Sequence, residues 1–176
     1  MATEQDRALE AVQVAIQMEV DGREYYWKAS QNSDNQLGRR LFETLAAEED
    51  IHRQRFEQIY EALRKQKAWP VIKLQPNREK RLVAVLTEGV VEIGLDIKTP
   101  TTEIDAIQQA MAMENKTYDF YNRQSQQAAY DAERDYYRAV AAEEKEHHRV
   151  LLDYYEYLKD PAGWFTMHEH PSLDGG

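Results

Sequence analysis

Apolar side chains return every three or four positions along most of this chain, the spacing that lines one face of an α-helix. Between about 34 and 66 the stripe runs through Leu41, Leu45, Phe56, Ile59 and Leu63. The final long stretch, ending before Asp160-Pro161, carries Tyr137, Val140, Leu151, Tyr154 and Leu158 in the same way. Val12, Ala15, Gly22 and Tyr26 mark a first helix over about 4–31, and Ile107, Ala110, Thr117 and Tyr121 mark another over about 102–126. Thr3 with Asp6 is a capping-box pair for the first helix, and Ser33 with Gln36 is one for the second. The two prolines of KAWPVIKLQPN at 67–77 break the rhythm, and REKRLVAVLTEGVVEIGL predicts a shorter helix over 78–96. Pro100 with a Thr102 cap and Asp105 launches the next long helix, and residues 161–176 are left as a C-terminal tail.

The stretch QQAA at 127–130 has weak turn chemistry, and an internal repeat supplies the break there. A shift of 95 positions lays Ala11 on Ala106, Met18 on Met113, Glu19 on Glu114, Tyr26 on Tyr121 and Arg39 on Arg134. It also lays Ala46-Ala47-Glu48-Glu49 on Ala141-Ala142-Glu143-Glu144, His52 on His147, and Leu63 on Leu158. The chain therefore reads as two related helical hairpins, 4–66 and 102–160, joined by a crossover over 67–101 that holds the short helix. The predicted fold is an all-α antiparallel four-helix bundle in one domain.

Composition supports helix and narrows the partners. Only 7 Gly and 5 Pro interrupt a sequence rich in good helix formers, and 176 residues with 42% hydrophobic content can bury one sizeable core. A net charge of -10 argues against nucleic acid and anionic membranes as partners. No stretch has the layout of a secretion signal or the ~20 apolar residues of a membrane span, so the expected setting is the cytoplasm. The absence of Cys excludes disulfides, thiolate zinc sites and iron–sulfur ligation, so a bound metal would be held by O and N.

Four glutamates interrupt the apolar stripes from within. Glu19, Glu49, Glu114 and Glu144 occupy positions where the periodicity calls for core residues. The midpoint of 19 and 49 is 34, and that of 114 and 144 is 129, so both pairs stand about fifteen residues, or roughly 22 Å, from their predicted turns. All four then meet at mid-bundle. Burying unpaired carboxylates costs several kcal/mol each after relaxation, so a cation is required among them. Two divalent ions balance four carboxylates, and His52 and His147, each three residues after a glutamate on the same helix face, add a nitrogen to each ion. Glu48, Glu143 and Glu146 read as a solvated face, and His148, about 100° around the helix from His147, reads as exposed. His168 and His170 lie in the tail, which reads as a flexible or packed terminus rather than a metal site.

One Glu from each of two helices and Glu-x-x-His from each of the other two is the ligand pattern of four-helix carboxylate di-metal proteins. With those six residues placed, the chain resembles the rubrerythrin branch of the ferritin-like superfamily over about residues 8–160. The resemblance implies a ferritin-like bundle with two iron ions per chain, with Mn or Zn as alternatives. It implies that Glu49 and Glu144 bridge the ions, that Glu19 and Glu114 are terminal, and that His52 and His147 serve one ion each. Tyr26 and Tyr121 match family tyrosines that hydrogen-bond the ligands, with plain core packing as the other reading. Rubrerythrin proper carries a four-cysteine rubredoxin domain, for which this chain has no cysteine, so the resemblance implies an external electron donor such as a rubredoxin-type protein. It also carries an extra glutamate, implicated in moving one iron with redox state, where this chain has Thr117.

Three functional expectations follow. The first is an oxidoreductase that reduces hydrogen peroxide or dioxygen at the di-iron pair. The second is a ferroxidase, iron-storage or iron-sensing protein. The third is a purely structural bundle. A homodimer is expected, with the 67–101 crossover as the segment that could pack against or exchange with a second subunit.

Overall fold

Thr3 opens the first helix as its sequence predicts. Its hydroxyl accepts the Asp6 N–H at 3.1 Å, and the Asp6 carboxylate accepts the Thr3 N–H at 2.9 Å. The computed structural model describes residues 1–66, 68–75 and 77–169. Six helices follow in order: α1 (Glu4–Asn32), α2 (Gln36–Gln66), α3 (Arg78–Ile93), α4 (Thr101–Gln127), α5 (Asp131–Lys159) and α6 (Pro161–Glu169). Strands are absent among the described residues. Helix α1 packs on α2 and α4 on α5, while α3 lies against α2 and α5. This is the all-α bundle of two hairpins that the repeat predicts. None of the helices in the described residues is long and apolar enough to cross a membrane.

Several helix ends differ from the sequence reading. Ser33 does not cap α2; its hydroxyl donates to Glu103 on α4 at 2.8 Å, and Asn35 Oδ1 accepts the Gly38 N–H at 2.6 Å instead. Thr102 does not cap α4, because the helix already begins at Thr101 and Pro100 supplies its first carbonyl to Glu103 N at 3.1 Å. At α5 the capping is borne by Glu133, whose carboxylate accepts the N–H groups of Ala129 at 3.0 Å and Tyr130 at 3.4 Å. A side chain reaching back from within the helix therefore makes the turn that Gln127–Tyr130 lacks the chemistry to make. Helix α3 stops at Ile93 rather than 96, where Gly94 takes a left-handed φ of 68°.

The first residues of the tail are ordered as α6. Pro161 sits at its first position, and Asp160 accepts the Gly163 N–H at 3.0 Å. Trp164 is buried edge-on against Tyr157 at 5.7 Å and donates its indole N–H to Asp153 at 2.7 Å. His168 stacks on that indole at 3.7 Å, a packing role, and His170 lies outside the described residues.

Two apolar clusters fill the bundle, one on either side of its middle. One contains Leu41, Phe42, Leu45, Ile107, Leu151 and Tyr154, and α3 closes it with Leu82, Leu86 and Val90. The other contains Val12, Phe56, Ile59, Tyr121, Tyr137 and Val140, with Trp69 of the crossover packed on Tyr137 at 5.4 Å. Both clusters are completed by residues from several helices, so the level between them is held rigidly from both ends.

Gly38 is one place where the repeat departs from itself, since its counterpart is Glu133. Glu103 occupies the room left by the missing side chain and accepts the hydroxyls of Ser33 at 2.8 Å and Tyr154 at 3.0 Å. A Cβ at Gly38 would collide with Glu103 Oε1 and Ser33 Oγ and lie 2.9 Å from Tyr154 Oη. Gly38→Ala is expected to destabilise the protein by about 1–3 kcal/mol, measured by chemical denaturation. Unchanged stability would mean that this three-way contact is free to rearrange.

Candidate metal centre

Between the two apolar clusters the stripes carry Glu19 from α1, Glu49 and His52 from α2, Glu114 from α4, and Glu144 and His147 from α5. All six are between 0% and 3% exposed. The structure brings them together. One ligand atom from each of Glu19, Glu49, His52 and Glu144 can be chosen so that all four lie within 4.8 Å of one another, and the same holds for Glu49, Glu114, Glu144 and His147. Glu49 and Glu144 belong to both sets. Their oxygens divide accordingly: Glu49 Oε2 lies 3.6 Å from His52 Nδ1 and its Oε1 lies 3.2 Å from His147 Nδ1. Glu144 Oε1 lies 2.9 Å from His52 Nδ1, and its Oε2 lies 3.6 Å from His147 Nδ1. The imidazoles stack with their centroids 5.6 Å apart and their planes at 13°.

Proximity here is not hydrogen bonding. Glu19 Oε2, Glu49 Oε1, Glu144 Oε1, His52 Nδ1 and His147 Nδ1 are all buried without a hydrogen-bond partner, the close His52–Glu144 approach included. Orphaned buried polar atoms are rare and costly. Five of them converging on two points, with oxygen and imidazole nitrogen as donors, fit two divalent cations of the Fe, Mn or Zn type.

Tyr26 donates its hydroxyl to Glu114 Oε1, and Tyr121 donates to Glu19 Oε1. Each tyrosine thus reaches the glutamate of the opposite hairpin; Glu19 keeps its second oxygen, Oε2, 3.5 Å from His52 Nδ1, whereas the Glu114 oxygen that accepts from Tyr26 is also the one 3.5 Å from His147 Nδ1. Tyr26 is also packed on Phe42, and Tyr121 on Phe56, so both are core residues and hydrogen-bond donors at once.

Without metal the groups hold protons against one another. Burial pushes Glu19 well above the usual carboxylate range, and the charge of Glu49 adds to it. Burial raises Glu144 to about 8, with Glu114 and Glu19 contributing. Burial also raises Glu114, but the charge of His147 together with hydrogen bonding from Glu144, His147 and Tyr26 overcomes it and holds Glu114 down at about 2. Burial lowers the two histidines, yet the surrounding carboxylates raise both well above their ordinary value: Glu19 and Glu144 act on His52, and Glu114 acts on His147.

The solvated face expected at Glu48, Glu143 and Glu146 is contradicted at two of the three positions. Glu48 is 3% exposed and paired with Arg78 at 2.7 Å. Glu143 lies 2.5 Å from His52 Nε2 and 3.1 Å from Arg55. Burial raises Glu143, and the His52 hydrogen bond and charge, with Arg55, overcome it and hold it down at about 2. Glu146 is half-buried and pairs with Arg149 at 2.8 Å. His148 is likewise half-buried rather than exposed. Thr117 turns its hydroxyl back to the Met113 carbonyl at 3.0 Å, so this position adds no carboxylate to the cluster.

The comparison with curated proteins and that with solved structures each found no match. The family model described as rubrerythrin matches residues 10–155, a span that begins in α1, ends in α5 and includes all six cluster residues. On that match, carried over most of its length, the chain belongs to the rubrerythrin family.

Proposed function

We propose that this protein is a di-iron oxidoreductase that reduces hydrogen peroxide or dioxygen with electrons from an external donor. The observation that carries the reading is the pair of overlapping four-residue sets with their orphaned ligand atoms. Glu19 and His52 would hold one ion, Glu114 and His147 the other, and Glu49 and Glu144 would bridge them. When bound, the two ions, held by these six protein groups, would supply the redox chemistry for reducing an oxygen species. Reducing peroxide to two waters takes two electrons and two protons, so an external one-electron donor, such as a rubredoxin-type protein, must deliver twice per turnover.

The chain's own groups support that chemistry. Tyr26 and Tyr121 fix the rotamers of Glu114 and Glu19, so ligand geometry is set before a substrate arrives. The apolar clusters above and below exclude bulk water. Gly22 lies directly beside Glu49: a Cβ there would be in ordinary van der Waals contact with Glu49 Cγ at 3.5 Å.

A ferroxidase or storage role is the second reading, favoured by Thr117, which provides no further carboxylate for an ion to move toward. Peroxide consumption by the iron-loaded protein with a supplied reductant tests the first reading. Rapid Fe²⁺ oxidation by dioxygen without sustained peroxide turnover would replace it with the second. Before either assay, protein loaded with Fe²⁺ and desalted is expected to hold about two ions per chain by elemental analysis, one for each ligand set. A folded protein that retains none would remove both readings.

A further inference from the structure

The two ligand sets repeat, but what stands behind each histidine does not. His52 Nε2 faces away from the cluster and lies 2.5 Å from Glu143 Oε2. Arg55, one turn further along α2, reaches the same oxygen at 3.1 Å and holds the carboxylate against the ring. Glu143 comes from the opposite hairpin, so the contact also ties α2 to α5.

The repeat would put Glu48 behind His147 in the same way. Instead Glu48 Oε2 is taken by Arg78, the first residue of α3, through Nε at 2.9 Å and Nη2 at 2.7 Å. The contacts of His147 with carboxylates among the described residues all run through Nδ1. Arg55 has no counterpart on α5 either, because the equivalent residue is the buried Val150. One histidine is therefore backed by an anchored carboxylate, and the other has lost its carboxylate to the crossover helix.

A carboxylate on the far nitrogen of a metal-binding imidazole fixes the tautomer that leaves the near nitrogen free, holds the ring plane and raises ligand basicity. We propose that Glu143, held by Arg55, is a positioning residue for His52, and that the His52 position therefore binds its ion more tightly than the His147 position. The inference rests on the di-metal reading above. Its consequence is an ordered site, in which a firmly held ion fills first and a more labile ion sits beside it.

The test is calorimetric titration of the metal-free full-length protein with Zn²⁺, with imidazole ¹⁵N spectra recorded on the same samples. Wild-type protein is expected to bind in two steps at least tenfold apart, with a slowly exchanging Nε2–H on His52 and none on His147. Glu143→Gln, which keeps the shape of the side chain, should weaken the tighter step by about 10–100-fold and speed the exchange of that proton. Glu48→Gln should leave both steps within about twofold. Two equal steps in the wild type, or a Glu143→Gln protein with unchanged affinity and unchanged His52 signals, would overturn the inference while leaving the di-metal reading intact. Equal losses in Glu48→Gln and Glu143→Gln would show that both histidines are backed alike and overturn it too. A wild-type protein that binds no Zn²⁺ would sink the di-metal reading and this inference with it.

Discussion

Glu49→Ala and Glu144→Ala are each expected to reduce metal content from about two ions per chain to well below one, whereas His52→Ala and His147→Ala should mainly weaken one position apiece. The geometry makes the difference. Each of these two glutamates presents one oxygen to the His52 side and the other to the His147 side, and each belongs to both ligand sets. Deleting one removes a donor from both ions and leaves three carboxylates against four positive charges in a site with almost no exposure to water. A histidine belongs to one set only, so its loss leaves the other with all four of its groups. Elemental analysis after loading and desalting decides the matter, with circular dichroism to show that the helices persist. Full retention of one ion in either glutamate variant would mean that the carboxylate serves a single position.

What could be read from the sequence was set by where each signal resides. The stripes through Glu19, Glu49, Glu114 and Glu144 are properties of single helices, and every residue assigned to those stripes is buried. The repeat located the turns, which lie between Asn32 and Gln36 and between Gln127 and Asp131. Glu48 and Glu143 escaped because each sits one residue, about 100°, off its stripe, and periodicity assigns such positions to water. Their burial is created by residues far away in the sequence: Arg55 reaches Glu143 from the other hairpin, and Arg78 reaches Glu48 from α3. No pattern within α2 or α5 records those encounters. Helix α6 escaped for a different reason. Nine residues are too few to show a helical period, and its order comes from one indole docked on Tyr157 and Asp153. Clues were present in Asp160-Pro161, which is as good a helix start as a helix stop.

Removing the metal should expose a conflict between the site and the fold, and pH should reveal its sign. In the metal-free protein Glu144 is raised to about 8, and Glu19, His52 and His147 are also raised, all relative to values of 4.5 for Glu and 6.5 for His. A group whose folded value lies above its unfolded value contributes stability that is fully present below the unfolded value and is lost as pH rises through the folded one. All four groups therefore lose stability in the same direction as pH rises, Glu19 and Glu144 from about 4.5 upward and the two histidines from about 6.5 upward. Glu114 and Glu143, held at about 2, lose theirs only in acid, so they do not oppose the trend in this window. The metal-free melting temperature is expected to fall over that range. Bound metal displaces those protons, and deprotonation favours its binding, so the loaded protein should gain most over the metal-free one at the upper end. At free metal a hundredfold above the dissociation constant, the gain is about 2.7 kcal/mol per site, or roughly 5–10 °C for a chain of this size. In Glu19→Gln/Glu114→Gln the amide oxygens can still accept the Tyr121 and Tyr26 hydroxyls, so shape is kept while two charges are removed. That variant should stay helical, lose most of its metal affinity, and show a narrower gap between metal-free and metal-loaded melting. Differential scanning calorimetry across pH 5–8, with and without metal, measures all of this. A wild-type melting point that metal leaves unchanged would mean that the cluster is satisfied by its own protons, and the bundle would then be structural rather than metal-binding.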